Sequence, residues 1–284
     1  MNATVPSMEK LSLSQLKEKA RLIRRQIIAA TTAAGSGHPS SSLSAVEILV
    51  GLYFGGVLRH DPSRPDWPDR DRFILSKGHG CPVLYAVLAE RGYFPLEWLS
   101  TLRQIGSPLE GHPNMLRVPG LEASTGSLGQ GLSIGLGHAL AARLDGRDYR
   151  VYVVLGDGEC DEGQVWEAAM GANKYRVDNL TAIMDYNHYQ QTGYIPEVMP
   201  LEPLKEKWRA FGWHTIEIDG HDFEALFKAF AEAKATNGQP TVIIAHTVKG
   251  KGVSLIERDT GNKFHGVPLT PEQAEVALKE IEEM

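Results

Sequence analysis

Tyr149-Arg150-Val151-Tyr152-Val153-Val154-Leu155-Gly156-Asp157-Gly158 is a nearly continuous β-branched and apolar run that ends in a Gly-Asp-Gly turn. A strand with one wet face alternates apolar and polar residues. This one does not alternate, so it is a strand buried on both faces. A helical stretch follows from about Glu162 to Tyr175, and Leu180-Thr181-Ala182-Ile183-Met184-Asp185 is the next strand. Strand, helix and strand make a crossover, which sets the two strands parallel. Asp157 stands just after the first strand and Asn187 just after the second, 30 positions on. The crossover therefore brings both to one edge of a sheet, the edge where open α/β sheets bind ligands.

Working outward, the same alternation of elements continues. Phe73-Ile74-Leu75, Thr215-Ile216-Glu217-Ile218 and Thr241-Val242-Ile243-Ile244-Ala245 are further strands, with a helix over Phe223 to Ala235 between the last two. Upstream, Ser12 and Gln15 form a capping box, and Leu13, Leu16, Ala20, Ile23, Ile27, Ala30 and Ala34 step along one helical face until Gly35. Arg21, Arg24 and Arg25 read as a solvated side of that helix. Further helices are expected from Leu43 to about Leu58, from Pro82 to Arg91, and over the Gly- and Ala-rich stretch Leu128 to Leu144. Thr270, Pro271 and Gln273 cap a last one. The pattern predicts an α/β, three-layer, mostly parallel open sheet with helices on both faces. No repeat or linker interrupts residues 1–284, so one domain is expected.

The 284 residues carry 29 Lys and Arg against 35 Asp and Glu, a net charge of −6. That balance argues against nucleic acid or an anionic membrane as the main partner. Cys81 and Cys160 make no CxxC pair, which points to a reducing cytoplasm. Residues 1–20 lack the apolar core of a signal peptide, and no run of 18 apolar residues exists.

Asp157 and Asn187 offer hard oxygen donors suited to Mg²⁺ or Ca²⁺. Gly156 and Gly158 let the backbone come close to an anion, and the helix start beyond them favours a phosphate. Together they suggest a cradle for a metal and a diphosphate. The plainer alternative makes Asp157 a helix cap and Asn187 a turn residue. Nine of the ten histidines divide. His60, His188, His214, His221 and His246 read as local hydrogen-bonding residues, whereas His38, His79, His112 and His265 sit in glycine-flanked loops. No HExxH or Cys/His zinc spacing is present. Gly126 to Gly131 (GSLGQG) is not GxGxxG, so a nicotinamide dinucleotide site is disfavoured. Lys249 and Lys251 are equally a phosphate clamp or a solvated loop. Cys160 reads as a small packed residue rather than a reactive thiolate.

The Gly156-Asp157-Gly158 turn followed by Asn187 resembles the thiamine diphosphate motif of thiamine-dependent enzymes. The whole ordered set is similar to the N-terminal half of transketolase. It runs from Ser36-Gly37-His38-Pro39 through Ser76-Lys77-Gly78-His79-Gly80, Gly111-His112-Pro113, 124–131, 156–168 and 185–193 to Lys249-Gly250-Lys251-Gly252 and Phe264-His265-Gly266. The resemblance implies a divalent cation, Mg²⁺ with Ca²⁺ or Mn²⁺ as substitutes, on Asp157, Asn187 and the main-chain carbonyl of Tyr189. It implies that His79, Gly158, Glu159, Asn187 and His265 bind thiamine diphosphate, with Gly126 and Leu128 against the thiazolium ring. His38, His112 and His265 then face the sugar as catalytic residues, and Glu162 serves communication across a subunit interface.

In that family the cofactor's pyrimidine ring is bound and activated by a second domain. The resemblance therefore implies a split transketolase of pentose phosphate metabolism. Its pyrimidine-binding and C-terminal domains would lie on a separate C-terminal subunit, in an α2β2 heterotetramer acting on sugar phosphates. Two alternatives stay open: a transketolase-like chain for a sulfosugar or branched sugar, and a noncatalytic thiamine diphosphate-binding chain.

Overall fold

The computed structural model describes residues 10–284. The reading of residues 1–20 as free of a signal-peptide core lies in part outside the described residues. The long first helix, α1 (Leu13–Ala34), is capped as its sequence dictates. Ser12 Oγ accepts from Gln15 N–H, the Gln15 side chain accepts from Ser12 N–H at 2.8 Å, and Gly35 closes the helix at φ 58°. Next come α2 (Pro39–Leu43) and α3 (Val46–Phe54), then β1 (Arg72–Leu75), α4 (Cys81–Glu90) and α5 (Gln130–Leu144). The deciding crossover is β2 (Val151–Gly156), α6 (Gly163–Lys174) and β3 (Leu180–Tyr186). A small antiparallel hairpin, β4 (Tyr189–Gln190) and β5 (Gly193–Tyr194), leads into α7 (Ile195–Val198) and α8 (Leu204–Ala210). Then follow β6 (His214–Asp219), α9 (Phe223–Ala235), β7 (Thr241–His246), α10 (Ser254–Glu257) and α11 (Pro271–Glu282), whose Thr270–Gln273 capping box forms as read.

The main sheet has the order β1-β2-β3-β7-β6, and all four pairings are parallel. Both of its faces are covered. Phe73, Leu75, Tyr152, Val154, Ile183 and Ile243 pack with α1, α3, α4, α9 and α11. Ile74, Val151, Val153, Leu155, Ala182 and Met184 turn the other way, onto α5, α6 and α8. Successive side chains of a strand alternate between faces, so an unbroken apolar run can serve two cores. Glycine lets α5 approach closely: a Cβ on Gly135 would lie 2.5 Å from Val153 Cγ2.

Two expectations change. The helix expected over 43–58 starts earlier and breaks at Ser44–Ala45, giving α2 and α3. The helix expected from Glu162 is preceded by a tight 3₁₀ turn over Gly158–Asp161, which folds Glu159 back under the strand end. Among the described residues no helix is long and apolar enough to cross a membrane.

Candidate functional site

Gly156 of β2 pairs in register with Asp185 of β3. The residues just beyond both strands therefore emerge side by side. Asp157 is 1% exposed, and its carboxylate accepts from Gly158 N–H at 2.9 Å and His188 N–H at 2.5 Å. Burial, with the neighbouring Asp185 carboxylate second, pushes its pKa up to about 7. Asn187 donates to Asp185 at 3.2 Å, and its side-chain oxygen accepts from Tyr189 N–H at 3.1 Å. Among the described residues no group of three His, Cys, Asp or Glu side chains converges to hold a metal ion.

Below them lies a buried charge pair that the sequence does not announce. Lys77, 1% exposed, ion-pairs with fully buried Asp185 and donates to the carbonyl of Ser41 at 2.7 Å. Ser44 and Thr247 hydroxyls donate to the same carboxylate, each at 2.5 Å. Lys77 holds Asp185 ionised against its burial, below the usual carboxylate range. A charged residue at a strand end signals no partner in the sequence, so nothing there marks this pair.

Glu159 is buried and its carboxylate is fully engaged. Ser76 Oγ donates at 2.5 Å, Gly129 N–H at 2.9 Å and Gly156 N–H at 3.0 Å. It ties the GSLGQG turn to the end of β2. Cys160 is buried beside it, and burial drives the thiol pKa well up, which leaves no stabilised thiolate.

Across the opening stand the histidines. The rings of His38, His79 and His265 form a triangle, with centroids 5.1, 5.5 and 5.4 Å apart. Burial, then the Arg103 guanidinium, lowers His38 to about 4. Burial, then the Lys249 ammonium, lowers His265 to about 3. Burial with Lys77 beside it lowers His79 well below the ordinary range. The three rings are thus neutral near pH 7. His112 lies against Gly126, where a Cβ would meet its ring at 2.8 Å. Of the histidines read as local, His60 pairs with Tyr93, His214 with Glu232, His221 with Glu47 and His246 with Glu217. His188 carries its backbone N–H to Asp157.

Of the two lysines read with equal weight, Lys249 is the one that reaches this wall, through His265. It is buried, and its ammonium donates to His265 Nδ1 at 2.8 Å and to Asn262 Oδ1 at 2.5 Å. Burial lowers its pKa to about 8.

The strand-end residues and the loop histidines open onto one cleft of about 480 Å³, which Asp185 and Lys249 do not line themselves but reach through Lys77 and His265. His38, His79, His112 and His265 line it, as do Gly126, Leu128, Asp157, Gly158, Glu159, Glu162, Asn187 and Tyr189. Every residue singled out from the sequence for the site is present. Lys77, Ser41, Gln190, Gln191 and Thr192 complete the wall. Three polar atoms of this wall, His38 Nδ1, Ser41 Oγ and Gln190 Oε1, are buried without a hydrogen-bond partner.

The comparisons with known proteins agree with this geometry. The family described as transketolase, thiamine diphosphate binding domain, matches residues 16–281. The 6-deoxy-6-sulfo-D-fructose transketolase subunit of a Clostridium species is 47% identical over 267 residues, covering 94% of this chain and 96% of that protein. An apulose-4-phosphate transketolase subunit of Phocaeicola vulgatus is 44% identical, covering 92% and 91%. The solved transketolase of Campylobacter jejuni superposes with a TM-score of 0.89 at 33% identity, over 96% of this chain and 43% of that one. The sheet, its ligand edge and these likenesses converge: the chain belongs to the transketolase family, as its thiamine diphosphate binding domain.

Proposed function

We propose that the cleft binds thiamine diphosphate through a divalent cation, Mg²⁺ foremost. With a partner chain carrying the pyrimidine-binding half, the protein transfers a two-carbon ketol unit from a ketose to an aldose. The observation that carries this reading is the convergence of Asp157, Asn187 and four loop histidines on one cleft at the carboxyl edge of a parallel sheet.

The residues present fit the cation and the diphosphate. Asp157, the Asn187 amide oxygen and the Tyr189 carbonyl are a hard oxygen set of the kind Mg²⁺ takes, with diphosphate oxygens and water supplying the remainder. A Cβ on Gly158 would lie 2.4 Å from Gln190 Cβ, so glycine is what lets β4 pack against the turn that would meet the diphosphate. When bound, the cofactor's thiazolium supplies the carbon nucleophile. The chain itself does the rest. Asp157, Asn187 and Tyr189 hold the cation, and His79, Gly158 and His265 meet the diphosphate. Gly126 and Leu128 bear on the thiazolium. His38, His112 and His265 face the sugar hydroxyls, where neutral imidazoles donate and accept protons. Glu159 acts one step back, through Gly129 and Gly156. Glu162, exposed at the rim, faces a partner.

A second reading of the sugar is favoured by the relatives. Two proteins that this chain matches along nearly their whole length are named for a sulfosugar and for apulose 4-phosphate, and both are named subunits. That supports a sulfonated or branched sugar in place of a pentose phosphate, and a separate partner chain; the α2β2 assembly is part of the proposal. The test has two stages. Calorimetry of the chain with thiamine diphosphate is expected to show heat with Mg²⁺ and none with EDTA. With its partner chain, the enzyme is then offered sulfofructose, apulose 4-phosphate and common ketose phosphates, and aldose product is followed. Cofactor binding indifferent to EDTA would sink the cation assignment.

A further inference from the structure

Arg24 lies in the middle of α1, on the side that the sequence assigns to solvent, yet it is 1% exposed. Its partner Glu47, in α3, is 7% exposed. A buried ion pair is seldom more stabilising than apolar residues of the same volume, so its presence asks for a reason beyond stability.

The pair does not close on itself. The Arg24 guanidinium reaches both Glu47 oxygens, at 2.7 and 2.8 Å, while its Nε donates to the carbonyl of Lys251 at 2.9 Å. Glu47 also holds His221 Nδ1 at 2.8 Å, and His221 Nε2 accepts from Val248 N–H at 2.9 Å. Because Nε2 accepts, the ring proton sits on Nδ1 and points at Glu47. Arg24 and His221, both held by Glu47, thus reach one loop, 248–252, that follows β7. Their two anchors, Val248 N–H and the Lys251 carbonyl, straddle Lys249. The loop rests directly on the clamp. Gly252 has φ +91°, and a Cβ there would lie 2.7 Å from Met284 Sδ and 3.0 Å from Arg24 Cδ. Between the anchors Gly250 N–H donates to the Ser40 carbonyl at 3.0 Å, and the Ser40 hydroxyl holds the carbonyl of Phe264, next to His265.

We infer that Arg24, Glu47 and His221 are positioning residues that fix the 248–252 loop and so set the Lys249 ammonium against His265 at the cleft wall. The consequence for anion affinity rests on the function proposed above; the clamp itself does not. A simple brace between α1 and α3 would need the ion pair alone. It would need neither the contact to Lys251 nor the His221 bridge to Val248.

The test replaces the pair by apolar residues of similar size, Arg24→Met with Glu47→Leu, in the full chain. Hydrogen–deuterium exchange over 247–253 is expected to rise at least tenfold, while the helices α1 and α3 stay protected. The Kd for inorganic pyrophosphate with Mg²⁺ is expected to weaken about tenfold. Lys249→Met in the same background should then add less than a factor of two, because both changes remove one interaction. Should the double variant fail to fold, His221→Phe keeps the Arg24–Glu47 ion pair and removes the Val248 anchor with its hydrogen bond to Glu47, and the same rise in loop exchange is expected. Unchanged exchange in a folded variant overturns the inference, as does a Lys249 effect that multiplies in full with that of the clamp. Faster loop exchange in a chain that binds no pyrophosphate leaves the clamp standing and overturns the cofactor reading instead.

Discussion

The two ends of the cleft are built from opposite charges, and each keeps its titrating groups away from their ordinary state. At the strand end, Asp157 is buried next to a second carboxylate and is pushed up to about 7. At the loop end, His38 and His265 are buried near cations and pushed down to about 4 and about 3. Asp157 takes its hydrogen bonds from two backbone amides, so its position is fixed by the sheet register itself. His265 is held by Lys249, on a loop that other side chains must hold in turn. The difference teaches how the labour divides. The sheet edge supplies a fixed carboxylate, the proposed cation site, and the loops supply neutral imidazoles whose placement depends on neighbours. A bound cation would let Asp157 ionise.

The largest effect is expected at the strand end. Asp157→Ala removes the charged ligand and leaves the cation uncompensated in a buried place, a loss of about 3–5 kcal/mol. Thiamine diphosphate affinity in the presence of Mg²⁺ should fall by several hundred-fold or more. Calorimetry reads this directly. Affinity within about threefold of the parent chain would remove Asp157 from the cation site and dissolve the contrast between the two ends.

At the loop end the expected loss is smaller and of another kind. His112→Ala, measured on the enzyme assembled with its partner, should lower kcat by about 100-fold, the range of one positioned acid or base. Cofactor affinity should shift by no more than about twofold, since His112 is assigned to the sugar. A variant that loses cofactor affinity in proportion to turnover would place His112 with the diphosphate group instead.

The two ends are not equally legible in the sequence. The apolar runs over β2 and β3, the crossover length and the Gly-Asp-Gly turn specify the strand end locally, and reading it needs no long-range information. The loop histidines stand out by their glycine-flanked settings and the resemblance, and the fold then brings them together. What stays hidden is buried charge. Lys77, Asp185, Arg24 and Glu47 look like surface residues in sequence because their partners lie 23 to 108 positions away. Arg24 reads as part of a wet helix side for this reason. Glu159 is assigned to the cofactor by the resemblance; it lines the cleft, and the 3₁₀ turn aims its carboxylate at Ser76, Gly129 and Gly156, which no local signal announces. The break between α2 and α3 is equally hidden, since Ser44 and Ala45 carry no glycine or proline to mark it.

The smallest effects are slopes, and they test whether the two ends oppose each other in the free chain. For Asp157 the folded pKa, about 7, lies above the ordinary 3.8. Its stabilising contribution is complete below 3.8 and is lost as pH rises through 7. Asp157→Asn cannot titrate, so its Tm should gain on the parent chain as pH rises from 4 to 8. For His265 the folded value, about 3, lies below the ordinary 6.5. Its contribution is complete above 6.5 and is lost as pH falls toward 3. His265→Gln should therefore gain on the parent in the opposite direction, as pH falls from 7 to 4. Each change scales at about 3 °C per kcal/mol for a chain of this size. Taking the slope of each Tm difference, rather than its value, cancels whatever packing or hydrogen bonding the substitution alters at all pH values. Saturating Mg²⁺ and thiamine diphosphate should abolish the Asp157 slope, because a bound cation keeps the carboxylate ionised across the range. Two slopes of the same sign would mean that one field governs the whole cleft and that its ends are not separate electrostatic environments.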